Sequence, residues 1–123
     1  LTRAMLWTIL ARMDGVDTSG GSTWMEKGRA WTMAKGISDG TNPDGAVTRE
    51  QLAAMLWRFA GEPSTNGSLD RFSDAAQVSA YARTAMTWAV EQGIVTGSNG
   101  RLSPKGTATR AQVAAMLMRY LER

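Results

Sequence analysis

The sequence ATRAQVAAMLMRYL, residues 108–121, contains the pattern that decides the fold, and the chain carries this pattern three times. The other copies are VTREQLAAMLWRF at residues 47–59 and LTRAMLWTILARM at residues 1–13. In each copy a Thr-Arg pair opens a stretch with apolar residues at helical spacing, and an arginine stands ten positions after the threonine. Because one unit of such a repeat cannot bury its own apolar face, we expect functional sites to recur between units.

Helical periodicity predicts that each copy is one amphipathic helix with a buried apolar stripe. A further helix is predicted ahead of each later copy, from about Ser79 to Gln92 in the complete example, and Gly93 ends it as a left-handed cap residue. No segment shows sustained alternation of apolar and polar residues, so the fold class is all-α. The predicted stripes are Leu6, Ile9, Leu10 and Met13, then Leu52, Met55, Leu56 and Phe59, then Val113, Met116, Leu117 and Tyr120.

The composition excludes several kinds of site. The 123 residues include no cysteine and no histidine, which removes disulfides, thiolate metal ligands, cysteine nucleophiles and the commonest general base near neutral pH. The acidic residues form neither an EF-hand pattern nor a pair at catalytic spacing, so we expect no cofactor, no metal and no enzymatic activity. The net charge of +3 comes without a dense basic run, which argues against nucleic-acid binding. No run of about 18 apolar residues is present to insert into a membrane.

The order of motifs resembles that of the S-layer homology (SLH) module. Trp31 and Trp88 each begin the pattern W-x4-G-I-x2-G, which is followed by a turn with proline and then by T-R-x-Q. The resemblance covers nearly the whole chain, although the first copy keeps only its second half and the second lacks the Phe-x-Asp opening. It divides one compact domain into a truncated first repeat at residues 1–15, a second at 16–61 and a third at 62–123. It also implies that tandem helix-loop-helix repeats pack around a pseudo-threefold axis.

The resemblance implies a function too, namely non-catalytic anchoring of an exported protein at the extracellular surface of a bacterium. In that family, grooves between modules bind a secondary cell wall polysaccharide linked to peptidoglycan, often through a pyruvylated sugar, which makes the partner anionic. The glutamate of the family's T-R-A-E motif is replaced here by Gln51 and Gln112, so no carboxylate role is carried over. The residues that the resemblance places in the grooves are Arg3, Arg49 and Arg110, the loop glycines Gly40 and Gly97, and the aromatic residues Trp31 and Trp88.

The arginine after each threonine is the residue that helix formation leaves unexplained. The T-x-x-Q pattern at Thr48 and at Thr109 is a capping box, which accounts for the threonine and the glutamine. A cation in the first turn instead opposes the helix dipole, at a cost of about 0.3–1 kcal/mol. Two interpretations stay open: the guanidinium and free helix-start amides bind a carboxylate or a phosphate, or each arginine pairs with an acid of a neighbouring unit.

Structural roles compete with ligand binding at the other candidate residues. Large aromatic residues at helical spacing pack in cores more often than they bind ligands, so Trp31 and Trp88 are expected mainly to pack. Gly40 and Gly97 are expected to permit tight turns. A cation near a helix C-terminus suits the dipole, which explains the arginine ten positions after each threonine.

Two other functions fit parts of the sequence. Eight methionines suit a helical module for protein interaction or self-assembly. A homo-oligomer formed through the incomplete first repeat would cover the apolar residues Leu6, Ile9 and Leu10. A helix-turn-helix DNA-binding domain fits less well, because the turn between the helices is long and the basic residues are not clustered on one helix.

Overall fold

The computed structural model describes the whole chain, Leu1–Arg123, and it is helical without β-strands, which confirms the all-α class. Two short 3₁₀ segments, Ala75–Gln77 and Ala80–Ala82, precede the fourth helix. None of the helices has both the length and the apolar character needed to cross a membrane. The helices are α1 (Arg3–Met13), α2 (Glu26–Ala34), α3 (Arg49–Phe59), α4 (Arg83–Glu91) and α5 (Arg110–Glu122).

Helices α1, α3 and α5 begin at the Thr-Arg pairs because the threonine caps each helix. In α3 the Gln51 amide donates to the Thr48 hydroxyl at 3.3 Å, and the Thr48 amide donates to the Gln51 side chain at 3.0 Å. Thr109 and Gln112 form the same capping box in α5, so both predicted boxes are confirmed. A cap of this kind stabilises a helix by about 1 kcal/mol.

Helices α2 and α4 end at glycines in the left-handed region, as predicted for Gly93. The φ values of Gly36 and Gly93 are 69° and 74°. The amide of Ile94 then donates to the Ala89 carbonyl at 2.8 Å, which satisfies a carbonyl that the helix leaves unpaired. Helix α4 begins later than predicted, because Ser79 is extended and a 3₁₀ turn follows it.

The chain folds as two compact units whose boundary differs from those of the sequence repeats. The N-terminal unit is Leu1–Val47 and the C-terminal unit is Thr48–Arg123. Each unit therefore joins the second helix of one repeat to the first helix and loop of the next. The repeat boundaries remain a prediction about the periodicity of the sequence.

In the N-terminal unit, α2 packs against α1 at close range. Gly28 of α2 permits this approach, because a Cβ atom there would lie 3.1 Å from the Cα atom of Thr8. The buried side of α1 includes Leu6, Trp7 and Leu10, each 0% exposed. Burial of one such leucine contributes about 1.5–3 kcal/mol to folding.

The predicted stripe of α1 is only partly correct. Ile9 and Met13 are half-buried, whereas Trp7, which lies outside the predicted stripe, is fully buried. The expectation that Leu6 and Leu10 present an apolar patch for a homo-oligomer is wrong. Both side chains are buried on a helix against which α2 packs, so neither is available to another chain.

In the C-terminal unit, α3 packs against α4 and against the 3₁₀ segment before it. The ring of Tyr120 on α5 lies 6.0 Å from that of Phe59 and 6.1 Å from that of Trp88, edge-on in both cases. Edge-on aromatic pairs of this kind add about 0.5–1.5 kcal/mol beyond their buried area. The three rings thus connect α3, α4 and α5 around one core, which also contains Leu52 and Met86.

A buried carboxylate ties α3 to the segment before α4. Glu50 is 3% exposed and accepts hydrogen bonds from the Ser79 amide at 3.0 Å and from Lys105 Nζ at 3.2 Å. Burial acts to raise the pKa of Glu50, but the hydrogen bonds from Ser79 and Lys105 outweigh it and hold the pKa below its ordinary value. Glu50 therefore stays ionised at neutral pH and fixes the position of the 3₁₀ segment.

Candidate functional site

The start of α1 lies against the loop that follows α2. The backbone amides of Arg3 and Ala4 donate to the carbonyls of Gly45 and Pro43 at 2.9 and 3.0 Å. A helix cannot satisfy its first amides by itself. Here the Pro-Asp-Gly turn of the following repeat satisfies two of them.

The same arrangement recurs where α3 meets the loop that follows α4. The amides of Arg49 and Glu50 donate to the carbonyls of Gly106 and Pro104, again at 2.9 and 3.0 Å. The interpretation that free helix-start amides receive a ligand is therefore wrong for α1 and α3, because a turn already occupies them. What the arrangement brings together is the arginine side chain and a glycine-containing loop.

A groove of about 350 Å³ opens beside Arg49 in the C-terminal unit. The loop after α4 and one face of α5 form its walls, and no aspartate or glutamate lines it. Three arginines line it, Arg49, Arg101 and Arg119, and its apolar lining includes the partly exposed residues Val95 and Ala115. Positive charge beside an apolar floor suits an anionic ligand that has an apolar face.

Arg49 has few partners inside the protein. Its Nη1 atom lies 3.4 Å from the carbonyl oxygen of Ser103, which is a long contact, and no carboxylate pairs with it. The guanidinium lies over Gly106, where a Cβ atom would be 2.1 Å from Nη1. Since a guanidinium has five N–H donors, most donors of Arg49 are available to a ligand.

Two of the three groove arginines are absent from the predicted site. Helix-dipole reasoning explains Arg119 only as a stabiliser of the end of α5, yet its Nη1 atom donates to the Ile94 carbonyl at 3.2 Å and it lines the groove. Arg101 belongs to the Asn-Gly-x-Leu stretch that the third repeat has and the second lacks. That extra stretch was the only signal of Arg101 in the sequence.

Asp74 holds the loop that forms one wall of the groove. Its Oδ1 atom accepts from the Leu102 amide and its Oδ2 atom from the Ser103 amide, both at 2.8 Å. Arg101 Nε lies 3.9 Å from Oδ2, and the Asp74 side chain is 2% exposed. Burial acts to raise the pKa of Asp74, but the two backbone hydrogen bonds outweigh it, so the pKa lies below its ordinary value.

The C-terminal unit is expected to lose stability in acid, because Asp74 must then be protonated. A carboxyl group whose pKa is lower in the folded state stabilises the protein above its unfolded pKa of about 3.9, and this contribution is lost as the pH falls through the folded pKa. Stability should therefore fall below about pH 4, and Asp74→Asn should flatten this fall by at most about 1.4 kcal/mol per pH unit. Urea denaturation from roughly pH 6 to pH 2 measures the slope. The exposed residue Asp70 provides the control variant Asp70→Asn, and an unchanged slope in Asp74→Asn would contradict the prediction.

Arg3 in the N-terminal unit has many more partners than Arg49. Its Nε atom donates to the Thr41 carbonyl at 2.9 Å, and its Nη2 atom donates to Ser38 Oγ at 3.1 Å and to Asp39 Oδ1 at 3.3 Å. The interpretation that the arginine pairs with an acid of the neighbouring repeat is thus confirmed for Arg3. It does not hold for Arg49, which has no ion pair.

Gly40 and Gly97 allow their loops to turn, as predicted, and both have a φ of 74°. A Cβ atom would lie 2.5 Å from Met33 Sδ at Gly40 and 2.6 Å from a ring carbon of Phe72 at Gly97. Gly97 lines the groove, whereas Gly40 is buried and its amide donates to Ser38 Oγ at 3.3 Å. Only Gly97 is therefore placed where a ligand could reach it.

The remaining predicted site residues are not among those that line the groove. Trp31 of α2 is half-buried, and its indole donates to the Asp14 carboxylate at 3.1 Å. Trp88 is 2% exposed and packs in the core, as its helical spacing indicates, so it presents no face to a ligand. Arg110, at the start of α5, is exposed, and its side chain forms no hydrogen bond or ion pair within its unit. The structure thus brings Arg49 and Gly97 together and places the other candidates elsewhere.

Comparison with known proteins points to one family. The family model of the S-layer homology domain matches residues 71–114, which lie inside the third repeat. Amylopullulanase from Thermoanaerobacterium thermosulfurigenes is 39% identical over 92 residues, which are 69% of this chain and 5% of that protein. The surface-layer 125 kDa protein from Lysinibacillus sphaericus is 32% identical over 108 residues, which are 80% of this chain and 9% of that protein.

One solved structure shares the fold. The undecaheme cytochrome from the S-layer of Carboxydothermus ferrireducens matches 99% of this chain and 17% of its own, with a TM-score of 0.63 and 22% sequence identity. At this identity the likeness concerns the fold alone. The repeated Thr-Arg helices, the family match and these relatives all point to the same family. The S-layer homology domain is therefore the family to which residues 71–114 belong.

Proposed function

We propose that this chain binds an anionic secondary cell wall polysaccharide in the groove of the C-terminal unit and thereby holds an exported protein on the bacterial cell wall. The observation that supports this most strongly is the charge of the groove, which is lined by Arg49, Arg101 and Arg119 and by no acid. Guanidinium groups bind carboxylates through two parallel hydrogen bonds. A polymer that carries carboxylates is therefore the class of ligand that fits.

The family supports the general role and the location. S-layer homology domains are non-catalytic anchoring modules of extracellular, cell-wall-associated proteins, and this chain is a cell-surface anchoring module. The chain spans only 5% of amylopullulanase and 9% of the surface-layer protein. The enzymatic activity that the name amylopullulanase gives is accordingly not assigned to this chain.

The floor of the groove favours a ligand that joins a carboxylate to an apolar group. Val95, Ala111 and Ala115 supply apolar side chains there that are at least partly exposed. A pyruvyl ketal on a sugar presents one carboxylate beside a methyl group, so the carboxylate could bond to Arg49 while the methyl packs on the floor. A pyruvylated sugar is therefore our specific candidate for the unit that the groove recognises.

The groove residues have separate roles in this proposal. Arg49 is the direct partner of the carboxylate, because the protein occupies only one of its donors, through the long contact to the Ser103 carbonyl. Arg101 and Arg119 add positive potential along the groove, which attracts a repeating anionic polymer. Gly97 allows the loop that forms the wall of the groove to turn at positive φ beside the Phe72 ring. Arg110 is a candidate for a second contact, since its side chain is exposed.

Co-sedimentation with bacterial cell walls tests the proposal. We expect the full chain to pellet with walls that retain the secondary polysaccharide and to stay in solution with walls from which it has been extracted. Added salt should release the chain, because exposed charges are screened beyond about 10 Å at 0.1 M ionic strength. Equal pelleting with both kinds of wall would overturn the proposal. Walls whose polymer has lost its pyruvyl groups test the more specific candidate.

Replacing Gly106 with alanine is expected to weaken this binding without destabilising the fold. The new methyl group would overlap the end of the Arg49 side chain, which is flexible and would move aside. The free energy of unfolding should change by less than about 0.5 kcal/mol, whereas retention on walls should fall several-fold. Urea denaturation and co-sedimentation measure the two effects. Undiminished retention would show that binding does not depend on the position of Arg49.

A protein-interaction role for α5 is the second candidate function. Met118 and Leu121 are 58% and 66% exposed on this helix, whereas Ala11, at the position of Met118 in α1, is 0% exposed. An exposed apolar helix face can pair with another helix. Sedimentation equilibrium tests this role. A dimer that Met118→Glu disrupts would support it, and a monomer at all concentrations would remove self-assembly.

A further inference from the structure

The two loops that meet an arginine correspond position by position. Residues 36–41 follow α2 and residues 93–98 follow α4, and both stretches begin with Gly-Ile and have glycine at the fifth position. In both units the backbone bonds that join the helix start to the turn after the loop measure 2.9 and 3.0 Å. The two sites therefore share these backbone contacts, although the loop after α4 is longer by the four residues 99–102. The residues at matching positions of the two loops differ in their side chains.

The residue before the loop glycine is the chief difference between the two sites. It is Asp39 in the N-terminal unit and Thr96 in the C-terminal unit. Oδ1 of Asp39 lies 3.3 Å from Nη2 of Arg3. Threonine has no charge, and Arg49 accordingly has no carboxylate beside it.

The carboxylate of Asp39 is fixed in its place beside the arginine. Its Oδ1 atom accepts from the Thr41 amide at 3.0 Å and from the Thr41 hydroxyl at 2.6 Å. The hydrogen bonds from Thr41, together with the charge of Arg3, lower the pKa of Asp39, so it is ionised at neutral pH. The Arg3 side chain is 12% exposed and also donates to the Thr41 carbonyl and the Ser38 hydroxyl. Protein oxygens thus occupy the Nε and Nη2 donors of Arg3.

We propose that Asp39 is a built-in competitor for the anionic ligand, which closes the arginine site of the N-terminal unit and leaves that of the C-terminal unit open. This inference rests on the proposed function, since it requires that the ligand's anion binds to the arginine. A carboxylate tethered beside Arg3 competes at the high effective concentration of an intramolecular group. A ligand must displace it, and must also replace the contacts to Ser38 and Thr41, before it can pair with Arg3.

An NMR titration of the full chain can follow the two sites separately, because the amide of Gly40 reports on one loop and that of Gly97 on the other. The probe is a methyl hexoside that carries a pyruvyl ketal, and the same sugar without the ketal is the control ligand. In the wild type we expect the Gly97 signal to shift at probe concentrations at least about tenfold below those that shift the Gly40 signal.

Exchanging the two residues should exchange the behaviour of the sites. Asp39→Thr should bring the response of Gly40 into the range of Gly97. Thr96→Asp should weaken the response of Gly97 by at least about tenfold, and the double exchange should reverse the wild-type order. Asp39→Asn separates charge from loop structure, because its amide oxygen can keep the hydrogen bonds from Thr41 while the charge is lost. It should open the N-terminal site as well.

The outcomes distinguish this inference from the proposed function. Equal responses of Gly40 and Gly97 in the wild type would overturn the inference alone. The inference alone would also be overturned if the probe shifts the Gly97 signal but not the Gly40 signal in both Asp39→Thr and Asp39→Asn. This conclusion requires that the other signals of the two variants keep their wild-type positions. If neither glycine responds to the probe in any of these proteins, the pyruvylated sugar fails as the ligand and the inference fails with it, whereas co-sedimentation with cell walls still decides the proposed anchoring function.

Discussion

Arg49→Ala is expected to weaken binding to walls that carry the anionic polysaccharide by about 10- to 150-fold, because a hydrogen bond to a charged group contributes about 1.5–3 kcal/mol. The structure supports this size of effect, since no carboxylate of the protein pairs with Arg49 and its contact to the Ser103 carbonyl is a long 3.4 Å. A ligand carboxylate would then bind N–H donors of Arg49 that make few hydrogen bonds within the protein. Binding isotherms from co-sedimentation measure the change.

Two further variants show whether the effect belongs to the guanidinium. Arg49→Lys keeps the charge but loses the planar fork, so its affinity should lie between those of the wild type and Arg49→Ala. Arg83→Ala removes one positive charge from an exposed site on α4 outside the groove, and it should leave binding nearly unchanged. If Arg83→Ala weakened binding as much as Arg49→Ala, general charge and not the groove would explain retention.

Trp7→Ala is expected to lower the free energy of unfolding by about 3–5 kcal/mol, which is the usual cost of removing a fully buried tryptophan. Trp7 is 0% exposed in the N-terminal unit, so its removal leaves a cavity as well as losing buried apolar area. A loss of this size is a large part of the roughly 5–15 kcal/mol that stabilises a typical domain. Urea denaturation followed by circular dichroism measures it.

Two variants in the same unit test the mechanism of this loss. Trp24→Ala removes a tryptophan that is 54% exposed, and it should change the stability far less. Trp7→Phe keeps most of the buried volume and also removes an indole N–H that has no hydrogen-bond partner. Because an unpaired buried donor costs about 1–3 kcal/mol, this gain should offset much of the lost packing. A Trp7→Ala loss below about 1 kcal/mol would contradict the prediction.

Much of the secondary structure could be predicted from the sequence. All three Thr-Arg helices begin at their capping threonine. In α3 and α5 the T-x-x-Q pattern indicates this start, because a capping box involves residues only three positions apart. Gly93 ends α4 for an equally local reason, since glycine adopts positive φ without steric cost. The start of α4 was harder to predict, because the 3₁₀ turn before it is held by Glu50, a residue far away in the chain.

The groove was predicted less well than the helices. Arg49 and Gly97 are brought together as the family resemblance implies, but Arg101 and Arg119 were not among the predicted residues. Periodicity shows which face of a helix is apolar, whereas it does not show which loop will lie opposite a charged residue on that helix. Trp88 is a residue whose environment periodicity does predict, because its helical spacing correctly indicates packing in the core.

By itself, the sequence determined the helical class, the repeated units and the helix starts, because capping, turns and periodicity act over a few residues. Only the tertiary structure decided which arginine is neutralised and which is available. Asp39 stands 36 positions from Arg3 and meets it only because the loop after α2 folds back onto the start of α1. At α3 the corresponding loop brings no carboxylate to Arg49, so the same Thr-Arg pair has a different electrostatic environment in the two units.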